Sequence, residues 1–197
     1  DNVKVIIGSD EEMVFIPENI EAGVVFYPGG LVEYEAYAPL MLALAENDIM
    51  SVIVKMPFKL AMFNANGARN IIEKYTEVPA WYIGGHSLGG VFASRYASEH
   101  VEDFEGVFLL ASYTTEDISD SKLKVMSIYG TNDLVLNKEN YEKSKTNLPH
   151  RAQNYKISTL IILSTLSFLI TGIRFLLKPG LFQEYLLQFQ GVHYICT

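Results

Sequence analysis

Ser87 lies in a glycine-rich turn of the kind that activates nucleophilic serines. The turn reads Gly85-His86-Ser87-Leu88-Gly89, and glycines also stand at positions 84 and 90. Apolar residues 81–83 before it favour a β-strand, and the small residues after it favour a helix. A serine at such a strand-to-helix turn occupies a strained bend that exposes its hydroxyl, and a side chain in place of the flanking glycines would collide with neighbouring elements. We therefore predict that Ser87 is a nucleophile.

Two other interpretations of this turn are open. It is either a structural turn without chemistry or a loop that cradles phosphate. A Walker-type loop is disfavoured because no Gly-Lys-Ser/Thr follows the glycines.

Two backbone segments are predicted to stabilise an oxyanion. The N–H of Leu88 lies at the start of the helix that follows Ser87, where the helix dipole is positive. A second glycine-rich segment, Pro28-Gly29-Gly30, follows the apolar strand predicted at 23–27. Bare backbone can approach a substrate oxygen closely there, so the N–H of Gly29 or of Gly30 is predicted as the second donor. The alternative for this segment is a plain β-turn.

Asp133 is the candidate for the acid that orients a catalytic histidine. The apolar strand predicted at 123–129 ends in Gly130-Thr131-Asn132-Asp133, which puts this carboxylate at the carboxyl end of the strand. The alternative is a capping or turn role, because a helix is predicted from Asn137 onward. Asp117 and Asp120 precede the strand and are poorer candidates.

The elements that position these residues alternate between strands and helices. Apolar runs predict strands at 49–56, 80–83 and 104–110, and helical spacing predicts helices at about 36–46 and 67–76. A hairpin is predicted at 3–7 and 13–16. The alternation indicates an α/β fold with a mostly parallel sheet and helices on both faces.

Four segments give the chain a resemblance to the α/β-hydrolase superfamily. They are Tyr27-Pro28-Gly29-Gly30, Lys55-Met56-Pro57-Phe58, the turn at 85–90 and Gly130-Thr131-Asn132-Asp133, in the family's order over residues 20–149. The chain resembles the small bacterial members without a large cap domain, such as esterases and dienelactone hydrolases. The resemblance implies that Ser87 is the nucleophile, that Asp133 is the acid and that hydrolysis passes through an acyl-enzyme.

The histidine of the family pattern is not where the resemblance implies. A last strand is expected near 155–165, but no histidine follows it directly. The best candidate for the base is His193, in Gly191-Val192-His193, and the second is His150; the third possibility is that no histidine acts. His86 precedes the nucleophile and is unsuited to act as its base, and His100 ends the following helix. We therefore expect weak or absent hydrolysis.

The last part of the chain differs in composition from the rest. The net charge is −8, yet residues 151–197 contain one acidic and four basic residues. Residues 157–173 are an uncharged run of 17, the lower limit for a membrane-spanning helix. We predict a hydrolase core at 1–150 and an atypical apolar segment at 151–197. Three interpretations of that segment are open: the last strand and helix, a membrane segment within 157–177, or a sequence foreign to the family.

Composition limits the remaining possibilities. The acidic balance and a pI near 5.0 argue against nucleic-acid binding. No clustered metal-ligand spacing and no phosphate loop is present in the sequence, so no cofactor or metal is expected. The partner expected is a small acyl compound, and both a cytoplasmic and a membrane-associated location are open. The expected function is ester hydrolysis; the alternatives are acyl transfer or peptide cleavage by the same residues, or a catalytically impaired binding or membrane-tethered module.

Overall fold

The structure, a computed structural model, describes residues 3–8 and 12–157. Within this part an eight-stranded sheet has the strand order β1-β2-β4-β3-β5-β6-β7-β8. The strands are β1 (Lys4–Ile7), β2 (Glu12–Ile16), β3 (Ala22–Tyr27), β4 (Ile49–Val54), β5 (Trp81–His86), β6 (Gly106–Leu110), β7 (Lys124–Gly130) and β8 (Gln153–Ile157). The helices are α1 (Ala38–Ala45), α2 (Gly67–Lys74), α3 (Leu88–Glu99) and α4 (Lys138–Ser144).

The six strands from β3 to β8 run parallel, and the other two form an antiparallel edge. β3 pairs with both β4 and β5, and β6, β7 and β8 follow in order beyond β5. β2 pairs antiparallel with β4, and β1 with β2. The carboxyl ends of the parallel strands therefore meet at one edge of the sheet, where ligands bind in open α/β folds.

The core lies on both faces of the sheet because the central strands are buried on both sides. All residues of β3 and β4 are buried, as continuous apolar strands covered by helices should be. α2 and α3 cover one face through residues such as Ile71 and Tyr96. α1 covers the other face through Met41 and Leu44. This confirms the predicted α/β-hydrolase architecture with helices on both faces.

Short 3-10 turns connect several of these elements. One at Tyr34–Tyr37 leads into α1, and two more, at Pro57–Lys59 and Ala61–Phe63, follow β4. The turn at Ala61–Phe63 contacts α3. The sequence did not predict these turns.

The predicted edge hairpin is confirmed by β1 and β2, which pair from Lys4 with Ile16 to Ile7 with Met13. The last described strand begins earlier than the expected 155–165. β8 begins at Gln153, because there it comes into register with Met126 of β7.

The structure describes only residues 151–157 of the atypical segment at 151–197. β8 belongs to the sheet, whereas residues from 158 onward, including most of the candidate membrane segment at 157–177, lie outside the described residues. Within residues 3–8 and 12–157, no helix has the length and apolar character needed to cross a membrane.

Candidate active site

Ser87 occupies a strained backbone conformation between β5 and α3. Its φ and ψ angles are 51° and −123°, which lie outside the regions that residues with side chains favour. The strain is held by the neighbouring strand, since the N–H of Ser87 donates to the carbonyl of Leu110 at 2.9 Å. The turn also places Ser87 at the start of a helix, as the nucleophile motif predicts.

Two glycines allow this bend because other backbone lies where their side chains would be. A Cβ on Gly85 would lie 2.6 Å from the carbonyl oxygen of Tyr27 and equally close to backbone atoms of α3. A Cβ on Gly89 would lie 2.1 Å from the oxygen of Tyr27 and 2.3 Å from that of Pro28. The turn and the loop after β3 are therefore pressed together backbone to backbone.

The loop after β3, residues 28–31, carries one N–H that is free and two that are engaged. Gly29 donates its N–H to the hydroxyl of Tyr37 at 3.1 Å. Leu31 donates to the carbonyl of Lys59 at 2.9 Å. No acceptor for the N–H of Gly30 is found among the described residues. Of the two predicted donors, Gly30 is thus the one whose N–H is available for an oxyanion.

Leu88 supplies the other candidate donor. It is the first residue of α3, where a helix N–H has no partner within the helix. Its side chain lies beside the loop after β3, because a Cβ on Gly30 would lie 3.3 Å from Leu88 Cδ2. The structure therefore brings Leu88 and Gly30 next to each other, on the side of α3 where the chain leaves Ser87.

Tyr37 joins the loop to the turn. Its hydroxyl lies 2.9 Å from Nδ1 of His86, in addition to accepting from Gly29. Burial lowers the pKa of His86, and the negative charge of Asp133 partly offsets that shift. The helical spacing that predicted a helix at about 36–46 carries no information about where the Tyr37 hydroxyl points, so this contact was not predicted.

Ser112 supports the turn from the side of β6. Its side chain is buried, and its hydroxyl donates to the carbonyl oxygen of Ser87 at 2.7 Å. Ala111 before it has φ of 45° and donates its N–H to Ile128 at 2.7 Å. Sequence reasoning missed Ser112, since a lone serine after a strand carries no motif.

Asp133 follows β7 and is held by its own loop. One carboxylate oxygen, Oδ1, accepts from the N–H groups of Val135 at 2.8 Å and Leu136 at 2.9 Å. Asp133 follows the carboxyl end of β7, at the same edge of the sheet as the Ser87 turn after β5, and its charge acts on the pKa of His86. α4 is instead capped by Asn137, whose side chain accepts from Asn140 N–H at 2.9 Å. Of the alternative capping or turn role, the structure shows the turn, which Asp133 closes, while Asn137 caps the helix.

Three of the four histidines are accounted for within the described residues. His86 is bonded to Tyr37 through Nδ1. His100, at the far end of α3, stacks on Tyr96 with ring centroids 4.3 Å apart. His150 is exposed and precedes β8, which places it at the amino ends of the parallel strands, opposite Ser87. The fourth, His193, lies outside the described residues.

Apolar side chains are exposed in the loops that surround this edge of the sheet. Phe58 is 81% exposed and Leu31 is 74% exposed, and both have positive φ angles. Leu134 beside the candidate acid is 93% exposed. A cavity of about 350 Å³ opens next to the loop after β3, and its lining combines apolar residues such as Pro28, Met56 and Phe58 with the charged residues Glu33, Glu35, Lys55 and Lys59. Among the described residues, no group of three or more His, Cys, Asp or Glu side chains is arranged to hold a metal ion.

Comparison with known proteins agrees with this architecture. A search of curated proteins returned no match. The model of a family described as the alpha/beta hydrolase family matches residues 23–160, from β3 through β8. The match covers both the Ser87 turn and the Asp133 loop. Because it extends over more than half of the 197 residues, the chain belongs to the alpha/beta hydrolase family.

Proposed function

We propose that the protein is a serine hydrolase that cleaves a carboxylic ester or a related acyl compound through an acyl-enzyme. Ser87 is the nucleophile, Asp133 the acid and His193 the base. The N–H groups of Leu88 and Gly30 bind the oxyanion. Hydrolase chemistry follows from the family; the ester, the acyl-enzyme and the roles of these residues are our proposal.

In the first half of the reaction, Ser87 Oγ attacks the carbonyl carbon while its proton passes to the imidazole of His193. The carbonyl oxygen becomes an oxyanion that accepts hydrogen bonds from Leu88 and Gly30. The imidazolium then donates its proton to the departing alkoxide oxygen as the ester C–O bond breaks. An alcohol leaves, and the acyl group remains on Ser87.

In the second half, water attacks the acyl carbon and gives its proton to the same imidazole. A second oxyanion forms in the same place and collapses, and Ser87 Oγ leaves with the proton returned to it. The products are a carboxylic acid and the original enzyme. Asp133 stabilises the imidazolium in both halves, and its Oδ2 remains for this role because Oδ1 accepts the N–H groups of Val135 and Leu136.

The observation that carries the proposal is the strained conformation of Ser87 directly before a helix whose first N–H is free. A residue held at φ of 51° and ψ of −123° costs about 1–3 kcal/mol and persists only where the surroundings enforce it. The surroundings here are the backbone contacts of Gly85 and Gly89 and the bond to Leu110. Strain of this kind, with a free N–H donor beside a half-buried serine, is typical of an acyl-transfer site.

His193 is proposed as the base by elimination. His86 is engaged by Tyr37, and His100 and His150 lie at the opposite edge of the sheet from Ser87. The chain has four histidines in all. The exposed apolar side chains near the site, Leu31 and Phe58 among them, support a partly apolar substrate.

A second candidate function is a catalytically impaired hydrolase-fold protein that binds rather than cleaves its ligand. The observation that favours it is that, among the described residues, no histidine hydrogen-bonds to Ser87 Oγ. Without a base the serine would be a weak nucleophile. The two candidates differ in whether turnover depends on a histidine.

Turnover of p-nitrophenyl acetate by the full chain distinguishes them. We expect slow release of p-nitrophenol that is lost in Ser87→Ala and falls by several orders of magnitude in His193→Ala. His150→Ala is the matched control, because His150 is exposed at the far edge of the sheet, and it should keep the rate of the unmodified chain.

Two results would count against the proposal. Release that survives His193→Ala in a folded variant would remove His193 as the base. Release that survives Ser87→Ala, or no release by the unmodified chain, would favour the binding protein.

A further inference from the structure

One hydroxyl group connects the two segments that carry the candidate oxyanion donors. Tyr37 lies at the end of the 3-10 turn before α1, outside both segments. Its hydroxyl lies 3.1 Å from the N of Gly29, in the loop after β3, and 2.9 Å from Nδ1 of His86, the residue before Ser87. The loop and the nucleophile turn are thus both hydrogen-bonded to the same side chain.

The directions of these two hydrogen bonds follow from the groups involved. The N–H of Gly29 can only donate, so the Tyr37 oxygen accepts from it. The one hydrogen of the hydroxyl is then available to Nδ1 of His86, which accepts it when the neutral ring carries its own proton on Nε2. Burial, which lowers the pKa of His86, favours this neutral ring.

Close packing fixes the hydroxyl in this position. A Cβ on Gly29 would lie 2.5 Å from His86 Nδ1 and 3.0 Å from the Tyr37 oxygen, so only glycine lets the loop approach so closely. The ring of Tyr37 packs on Phe26 of β3 with centroids 4.8 Å apart. The side chain therefore has little freedom to release either partner.

The hydrogen bonds made by this loop determine which of its N–H groups is free. Gly29 is held by Tyr37 and Leu31 by Lys59, and the N–H of Gly30 lies between these two engaged groups. We propose that Tyr37 is a positioning residue that holds the loop against the nucleophile turn, so that the N–H groups of Gly30 and Leu88 point at one oxyanion. This inference rests on the proposed serine hydrolase function. Tyr37 itself touches no reacting atom and acts through Gly29 and His86.

The test is Tyr37→Phe in the full chain, which keeps the ring on Phe26 and removes the hydroxyl. Losing an oxyanion donor outright lowers kcat by about 100- to 1000-fold. A donor that is present but poorly held should cost less, and we expect kcat for p-nitrophenyl acetate to fall about tenfold, with KM changed less than about twofold. Tyr75→Phe is the control: Tyr75 follows α2 before the amino end of β5 and contacts Lys74, and the rate of this variant should stay within about twofold of the unmodified chain.

A second pair of variants separates positioning from folding. His86→Asn keeps an acceptor at the place of Nδ1, whereas His86→Ala removes it, so His86→Asn should retain more of kcat. An unchanged kcat in Tyr37→Phe, or equal losses in His86→Asn and His86→Ala, would overturn the role of Tyr37 while leaving the hydrolase proposal intact. A loss that appears only in KM would also overturn it. If the unmodified chain shows neither turnover nor covalent labelling of Ser87, the hydrolase proposal fails and the role of Tyr37 with it.

Discussion

The two sides of the candidate site are built in different ways. The side with Ser87 is fixed by tertiary contacts, since strands β3 and β5 and helix α3 meet there with backbone against backbone at Gly85 and Gly89. The side with Asp133 is fixed by its own loop, whose carboxylate accepts from residues two and three positions further on. A Cβ on Gly130, at the start of that loop, would lie 3.9 Å from its nearest neighbours, the Cβ and N atoms of Asp133.

This difference shows what each side can tolerate. Backbone contacts under 3 Å leave no room for a side chain, so the Ser87 turn depends on particular glycines and fails when they change. A turn closed by one aspartate depends on that side chain alone, and its neighbours Leu134 and Val135 are exposed. Substitutions around Ser87 should therefore affect folding, whereas those around Asp133 should affect chemistry.

The largest effect is expected from Asp133→Asn. Turnover should fall by about 10⁴-fold, because an amide in place of the carboxylate favours the wrong tautomer of the base and does not stabilise the imidazolium. The amide oxygen can still accept from Val135 and Leu136, so the thermal unfolding midpoint should change little. The measurement is kcat/KM for p-nitrophenyl acetate alongside thermal unfolding.

Asp117→Asn is the control for this prediction. Asp117 also closes a local turn, by accepting from the N–H of Ser119 at 3.0 Å, but it lies in the loop after β6. Its substitution should leave kcat/KM within about twofold. A folded Asp133→Asn variant that turns over as fast as Asp117→Asn would reduce Asp133 to a turn residue.

The next largest effect is expected from Gly89→Ala. The added Cβ would lie 2.1 Å from the Tyr27 carbonyl oxygen, and neither backbone can move without disturbing β3 or α3. We expect a loss of about 3 kcal/mol or more in the free energy of unfolding, at the upper end for overpacking. Gly130→Ala is the matched change on the other side and should alter stability by less than about 1 kcal/mol.

Urea unfolding of the two glycine variants measures this contrast. If Gly89→Ala unfolds at the same urea concentration as Gly130→Ala, the backbone contacts around Ser87 are not as tight as described. The Ser87 side and the Asp133 side of the site would then tolerate an added side chain equally well.

A smaller effect is expected from Ser112→Ala. The variant removes the hydrogen bond from Ser112 to the Ser87 carbonyl, which still accepts from the N–H groups of Gly90 and Val91, so the loss should cost about 0.5–1.5 kcal/mol of stability. Ser121→Ala is the control, since the Ser121 hydroxyl donates to the carbonyl of Ile118 in a surface turn and its loss should cost less. Equal losses in the two variants would show that Ser112 gives the nucleophile turn no particular support.

Much of the fold was predictable because its signals are local. The buried strands β3 and β4 are continuous apolar runs, and the helix predicted at about 36–46 is α1, with Met41 and Leu44 buried. The Ser87 turn was predictable because its close contacts permit only glycine at defined positions. Ser87, Leu88, Gly29, Gly30 and Asp133 were all named from the sequence, and the structure brings them to one edge of the sheet.

The contacts between distant segments were not predictable. The choice of Gly30 over Gly29 depends on the Tyr37 hydroxyl, and the support from Ser112 depends on where the chain turns after β6. Both are bonds between side chain and backbone across different elements, which no spacing in the sequence encodes. His193 as the base stays a prediction, because it lies outside the described residues.

The most direct test of the central claim, that Ser87 is an activated nucleophile, is covalent labelling by a fluorophosphonate probe. Peptide mass spectrometry of the labelled chain should find the added mass on one peptide, the one containing Ser87, and Ser87→Ala should remove it. A heat-denatured sample should not react, since activation requires the folded site. If the native chain stays unlabelled while a known serine esterase in the same tube reacts, Ser87 is not activated and the account is wrong.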